Sequence, residues 1–140
     1  MAVSSSGSTL SLNSGYNIPQ LGLGTFLSKP GEVENAVKIA LGIGYRHFDC
    51  AMSYANQEEI GRALKDVFDS GKVKRENVFI TSKIWNTYHS YDRAKQAIDI
   101  MLEELKIPYL DLVLIHFPMG HGTTKVKASS LRMRMGNHVF

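Results

Sequence analysis

Four residues carry the chemistry that this sequence could perform: Asp49, Tyr54, Lys83 and His116. Asp49 closes the segment Tyr45-Arg46-His47-Phe48, Tyr54 follows in a short polar loop, and Ala55-Asn56-Gln57-Glu58-Glu59-Ile60-Gly61 leads into a helical pattern. Two later apolar segments end on Lys83 and on His116. Each of the four therefore stands at or just past the carboxyl end of an expected strand, which is where an α/β barrel keeps its active site.

A tyrosine phenol is a weak acid at neutral pH, with a free pKa of about 10. An ammonium group beside such a phenol favours the phenolate and eases donation of the proton to a developing alkoxide. A carboxylate at Asp49 would hold the Lys83 ammonium in place, and His116 could hydrogen-bond a carbonyl oxygen and fix its position. Together they describe acid-assisted reduction of a carbonyl. No protein side chain supplies hydride, so a nicotinamide cofactor is implied. Taken singly, each residue has an ordinary reading. Asp at a strand end caps a helix or forms a turn, Lys is a solvated charge, Tyr packs with a wet hydroxyl, and His116, between Ile115 and Phe117, is a satisfied buried histidine. Their joint position at the ends of three successive strands favours the functional reading.

The elements that must position them follow from periodicity. Residues 8–25 alternate apolar and polar side chains around Asn13-Ser14-Gly15, a hairpin signal. Leu21-Gly22-Leu23-Gly24-Thr25 reads as a first strand whose glycines admit a ligand or a second backbone closely, tight packing being an equal explanation for Gly22. Behind Pro30, which can occupy a first helical turn, Val33, Ala36, Val37, Ala40 and Leu41 fall on one helical face closed by Gly42 and Gly44. A strand over 47–50 comes next. Ile60, Ala63, Leu64, Val67 and Phe68 form a second helical face stopped at Ser70-Gly71, and Val78–Lys83 a β-branched strand. Ala94, Ala97, Ile98, Met101, Leu102 and Leu105 form a third face, and Leu110–His116 a fourth strand. The expected order, a hairpin and then β-α-β-α-β-α-β, gives a parallel sheet covered by helices. The first strand runs into Thr25-Phe26-Leu27-Ser28 without a G-x-G-x-x-G turn, which disfavours an open dinucleotide-binding sheet and favours a barrel.

Several of these stretches resemble the aldo-keto reductase family. They are Asp49-x-Ala51-x-x-Tyr54 preceded by Gly44-Tyr45-Arg46-His47-Phe48, the run Phe79-Ile80-Thr81-Ser82-Lys83-Ile84-Trp85-Asn86-Thr87-Tyr88-His89, Leu110–Pro118, and the opening Leu21-Gly22-Leu23-Gly24-Thr25-Phe26 with its preceding hairpin. The resemblance covers roughly residues 8–118. It implies an NADPH-dependent reductase of aldehydes or ketones in which Tyr54 donates the proton, Lys83 and Asp49 tune it and His116 orients the substrate. It also places Thr25, Phe26 and Asp49 near the nicotinamide ribose and makes Phe26, Trp85 and Phe117 the substrate pocket. That family often has tryptophan at the positions of Phe26 and Phe117.

Length sets a limit. A closed (β/α)8 barrel needs about 250 residues, and the chain has 140. Residues 1–118 are therefore expected to be the N-terminal half of such a barrel, a partial (β/α)8 TIM barrel. Residues 119–140 show neither helical nor strand period and are expected to be a disordered tail, as from splicing, a frameshift or a mispredicted gene. Impaired catalysis and weak NADPH binding are expected to follow. Four strands cannot close on themselves, so whichever of Leu21, Leu23, Phe48, Ile80, Val113 and Ile115 the pleat directs inward would lose an opposite wall, and the isolated chain is expected to be unfolded, molten or self-associated through its open edges. The alternative is a non-catalytic fragment acting only through protein interaction, with a full-length relative or, as some members of that family do, as an auxiliary subunit of an ion channel.

The net charge of +3 belongs to the tail: Lys125, Lys127, Arg132 and Arg134 lie beyond residue 118 without an acid, leaving 12 basic against 13 acidic side chains before it. The folded part thus has no electrostatic reason to bind nucleic acid. No apolar run reaches the ~18 residues of a membrane span, and the amino terminus lacks the basic start and apolar core of a secretory signal. A single cysteine, Cys50, permits no internal disulfide and fits a cytoplasmic location. His121 and His138 lack metal-ligand spacing with any partner, so no metal site is expected.

Overall fold

The structure is a computed structural model that describes residues 7–120; most of the expected tail, from residue 121 on, lies outside the described residues. A hairpin comes first, β1 (Thr9–Ser11) pairing antiparallel with β2 (Asn17–Pro19) across the turn at Gly15, whose φ is 85°. Four parallel strands follow, β3 (Leu23–Gly24), β4 (His47–Asp49), β5 (Phe79–Ile84) and β6 (Leu112–Ile115), hydrogen-bonded in the order β3-β4-β5-β6. Between them run α1 (Glu32–Gly42), α2 (Gln57–Asp69) and α3 (Tyr91–Leu105). Pro30 stands in the turn before Gly31, one position outside the first helical turn.

Helix ends follow from local hydrogen bonding. After α1 the chain turns through Gly44 at φ 104°, with Tyr45 N–H donating to the Ala40 carbonyl (2.9 Å) and Gly44 N–H to that of Leu41 (3.3 Å). This is the Schellman arrangement. α3 ends the same way with Lys106 at φ 56° where glycine is usual, and Ile107 N–H bonds the Leu102 carbonyl at 3.2 Å. Ile107 is buried behind it, and this packing offsets the cost of a side chain in the left-handed region.

Strands in sequential order joined by right-handed crossovers put every helix on the same face of the sheet. One core cluster shows this directly: Val33, Val37 and Leu41 of α1, Ile60 and Leu64 of α2 and Leu105 of α3 pack with Phe48 and Ile80. Such a singly wound arc is a barrel wall, since a doubly wound sheet needs a reversal of strand order. The register assigns the faces. Leu23, Phe48 and Ile80 are in register and face the helices, and Val113 packs with the second cluster around Ile84, Ala97 and Met101. Of the candidates for the inward face, Leu23, Phe48, Ile80 and Val113 therefore point to the convex, helix-covered side, as does Ile115 in register with Ile84. The concave face carries Gly24, Asp49, Thr81 and Leu112 in one row and Lys83 with Leu114 in the next.

Two glycines mark close approaches. A Cβ on Gly22 would lie 2.6 Å from Nδ1 of His47, whose ring is held by the Pro19 carbonyl (3.1 Å) and the Thr81 hydroxyl (3.2 Å). Packing thus explains Gly22. Gly61 is tighter, since a Cβ there would stand 2.2 Å from the Glu104 carbonyl oxygen and 2.8 Å from the Leu105 carbonyl carbon. Gly61→Ala must push α2 and α3 apart, and we expect a loss of about 3 kcal/mol in urea unfolding. Gly24→Ala, whose Cβ would meet nothing within 4 Å, is the matched control. Equal stability of the two variants would show that α2 and α3 can move apart at little cost.

Candidate active site

Three strand ends and the loops leaving them build the site. At the end of β3, Thr25 is 1% exposed and donates both its N–H (3.2 Å) and its hydroxyl (2.9 Å) to the Asp49 carbonyl. Asn56, buried just before α2, donates its side-chain amide to the Thr25 carbonyl at 2.8 Å. The loop that leaves β4 is thereby tied back at both ends. Between the ties lies one 3-10 turn, Met52–Tyr54, and then Ala55 at φ 54°. These contacts fix where Tyr54 stands.

Lys83 is the hub. It projects from the concave face of β5, two residues beyond Thr81, which pairs with Asp49. Its ammonium has three N–H bonds to give. One goes to Oδ1 of Asp49, one to the Cys50 carbonyl at 2.9 Å and one to the Tyr54 hydroxyl at 3.2 Å. The Tyr54 oxygen accepts from Lys83, so its own proton is left to point elsewhere. The charge also lies 4.9 Å from the centre of the Tyr54 ring.

His116 follows β6 directly and prolongs the ladder, its N–H donating to the Ile84 carbonyl at 3.0 Å. It lies on the concave face in phase with Leu112 and Leu114. Its ring meets Tyr54 edge-on at 5.7 Å and Trp85 at 5.5 Å, and stacks on Phe117 at 4.6 Å. Phe26 lies 5.0 Å from Tyr54 on the other side. Phe26, Trp85 and Phe117 thus form an aromatic cup around the Tyr54 and His116 rings, with Phe26 61% and Phe117 47% exposed. Burial first, and the Lys83 charge second, hold the His116 imidazolium below its ordinary value of 6.5. The ring is neutral at physiological pH. Unfolded histidine takes up its proton near pH 6.5 while the folded ring still resists, so His116 contributes stability that is present above pH 6.5 and is lost as the pH falls below it. In NMR titration the His116 ring protons should show a midpoint under 6.5; a midpoint at or above that value would contradict this environment.

The structure brings Asp49, Tyr54, Lys83 and His116 together at one end of the sheet. Thr25 and Asp49 adjoin there, though burial leaves Thr25 almost no surface to offer a ligand. Cys50, next to Asp49, is fully buried, and burial pushes its thiol up to about 12. It stays protonated and inert. Two contributors were not evident from residue type. Ser53 places its hydroxyl 3.2 Å from Nδ1 of His116. Gln57, 1% exposed, accepts from the Ser82 hydroxyl at 2.6 Å and donates to Glu104 at 2.8 Å, tying α2 to the strand that carries Lys83. Spacing could have hinted at Ser53, which adjoins Tyr54; nothing local pairs residue 57 with residue 82.

The profile of the Aldo/keto reductase family matches residues 20–125. The Danio rerio protein "Aldo-keto reductase family 1 member A1-A" is 47% identical over 115 residues, 81% of this chain and 36% of that protein. A D/L-glyceraldehyde reductase of Hypocrea jecorina is 49% identical over 117 residues, 83% of this chain and 35% of that one. Among solved structures, the aldose reductase of Schistosoma japonicum superposes with a TM-score of 0.78 at 47% identity, covering 87% of this chain and 42% of its own. An aldo-keto reductase of Bombyx mori in complex with NADP gives 0.78 at 36% identity, covering 83% and 40%. The chain spans about a third of the length of these curated relatives. It belongs to the aldo/keto reductase family, and its parallel strands with their covering helices are part of that family's barrel.

Proposed function

We propose that this chain carries the proton-donating half of an NADPH-dependent reductase of aldehydes or ketones. The observation that supports this reading most is the Lys83 ammonium shared between Asp49 and the Tyr54 hydroxyl. Tyr54 gives its proton to the carbonyl oxygen, Lys83 stabilises the phenolate left behind, and Asp49 keeps the ammonium aimed. His116, held neutral, donates from its imidazole to the same oxygen and fixes its position. The aromatic cup of Phe26, Trp85 and Phe117 takes the apolar body of the substrate and excludes water from the reacting atoms. A bound nicotinamide supplies the hydride. Fit for it rests on the concave face beside Asp49, where the open space over Gly24 leaves room for a flat ring or a ribose and the Asp49 carboxylate is 37% exposed. Phe26 flanks that space, and Thr25 serves it by fixing the two strand ends.

A cytoplasmic enzyme of small carbonyl compounds, with no nucleic-acid or membrane partner, is the setting that fits. No helix among the described residues is long and apolar enough to cross a membrane. A chimera joining residues 1–118 to the complementary strands of a homologous reductase tests the reading: it should oxidise NADPH when given an aromatic aldehyde. A folded chimera that binds NADPH without turnover would overturn it. The 140 residues alone are expected to bind NADPH weakly, because a loss of ~4 kcal/mol in contacts already costs about a thousandfold. Fluorescence titration showing micromolar affinity or better would refute that expectation.

A second reading, action through protein interaction with another copy or a longer relative, draws support from β6. Ile115 is 63% exposed on the strand's helix side, and Met119 beyond it is 66% exposed.

A further inference from the structure

We propose that Ser53 is the positioning residue of His116: its hydroxyl donates to Nδ1, which holds the ring in the tautomer protonated at Nε2 and turns that N–H toward the cleft. The inference rests on the proposed carbonyl chemistry for its purpose, but not for its geometry.

The two atoms are 3.2 Å apart, and both side chains are half-buried. A neutral imidazole has one donor and one acceptor nitrogen, and whichever bond one nitrogen makes decides the role of the other. The His116 backbone is fixed by the Ile84 carbonyl and its ring by Trp85, Tyr54 and Phe117, so rotation about the side chain is already restricted. Those contacts are ring to ring, edge-on with Tyr54 and Trp85 and stacked on Phe117, and none of the three is a hydrogen bond to a ring nitrogen. Ser53 is the polar partner of the ring among the described residues. Its hydroxyl proton can rotate to meet a lone pair on Nδ1, and burial beside the Lys83 charge keeps the ring from taking a second proton.

Placement adds a coupling. Ser53 and Tyr54 are consecutive on the Met52–Tyr54 turn, so the turn that sets the proton donor also sets the group that orients the acceptor. A carbonyl oxygen lying between the Tyr54 hydroxyl and the His116 Nε2–H would receive two hydrogen bonds from neutral donors. With the other tautomer, Nε2 would present a lone pair to that oxygen and repel it.

Long-range ¹⁵N–¹H correlation spectra of the chain, with His116 assigned through His116→Gln, read the tautomer directly and need neither cofactor nor substrate. The native chain should show the Nε2–H pattern at His116. Ser53→Ala should give a mixed or inverted pattern at that residue with the other histidines unmoved, and Ser53→Thr, which keeps the hydroxyl, should restore it. A native Nδ1–H pattern, or a His116 pattern identical in the native chain and Ser53→Ala, would overturn the proposal. If the spectra of Ser53→Ala show general loss of structure, Ser53→Gly takes its place as the variant without a hydroxyl: a His116 pattern unchanged from the native chain sinks the assignment, as does Nδ1–H in the native chain or in Ser53→Thr. Failure of the carbonyl-reductase reading would instead appear as absent turnover in the chimera with these spectra unchanged.

Discussion

Tyr54→Phe, introduced into a barrel completed by the strands of a homologous reductase, is expected to lower turnover by about 10²–10⁴-fold, the usual worth of a positioned general acid. NADPH affinity should stay where it was. The reason lies in what the substitution removes. Phe keeps the ring that packs on Phe26 and meets His116, so the cup survives. It loses only the oxygen at 3.2 Å from the Lys83 ammonium. Lys83 retains Asp49 and the Cys50 carbonyl, so the charge remains paired and the local fold has no new unsatisfied carboxylate. An interaction made only in the transition state lowers kcat and kcat/KM together. Loss of cofactor binding equal to the loss of turnover would assign Tyr54 to the cofactor site instead. A small effect on both would move the proton donor elsewhere, with His116 the next group in reach.

Much of this site can be read from the chain because strand periodicity and strand ends are local facts. Asp49 and Lys83 point the same way since each lies an even number of residues along its strand from a partner on the concave face, and His116 keeps the phase of Leu112 and Leu114. What resisted reading depends on pairing between distant segments. An apolar strand buried on one face does not say which face that is, so Phe48 and Ile80 look equally suited to the barrel interior and to the helix layer until three amphipathic helices are seen to occupy the same side. Gly61 reads as an ordinary weakness in a helix. Only the approach of the α3 carbonyl at Glu104 makes it a necessity. Gln57 reads as a solvated residue at a helix start, whereas it is buried between a strand serine and a helix glutamate.

Self-association of the 140-residue chain is the other large effect expected, and the same assignment of faces decides its form. Had Phe48 and Ile80 faced the concave side, the isolated arc would have lost its main core and unfolded. They are instead fully buried against the helices, together with Leu41, Ile60, Leu64, Met101 and Leu105. Each such side chain contributes roughly 1.5–3 kcal/mol, so we expect the helix-on-sheet layer to hold without an opposite wall. The concave face is largely polar near its carboxyl end, with Lys83 bonded to Asp49 and to the Cys50 carbonyl and the Thr81 hydroxyl to His47. At β6 and just past it, uncovered apolar surface adjoins the sheet edge, where Leu114 is 39%, Ile115 63% and Phe117 47% exposed. Half-burial of each would return on the order of 1 kcal/mol. β6 is also an open edge with unpaired backbone groups, and so is β3 at the other end of the arc. Two copies can satisfy both edges at once by setting β6 of one against β3 of the other, twice over. We therefore expect light scattering at micromolar concentration to give a dimer or larger species, while far-UV circular dichroism keeps the helical signal of α1, α2 and α3. Ile115→Lys places a charge on the exposed side of the edge strand and should shift the species toward monomer without loss of helix. A monomer in the unsubstituted chain would mean that the open edges do not pair, and an unfolded chain would mean that the helix layer is weaker than its burial implies.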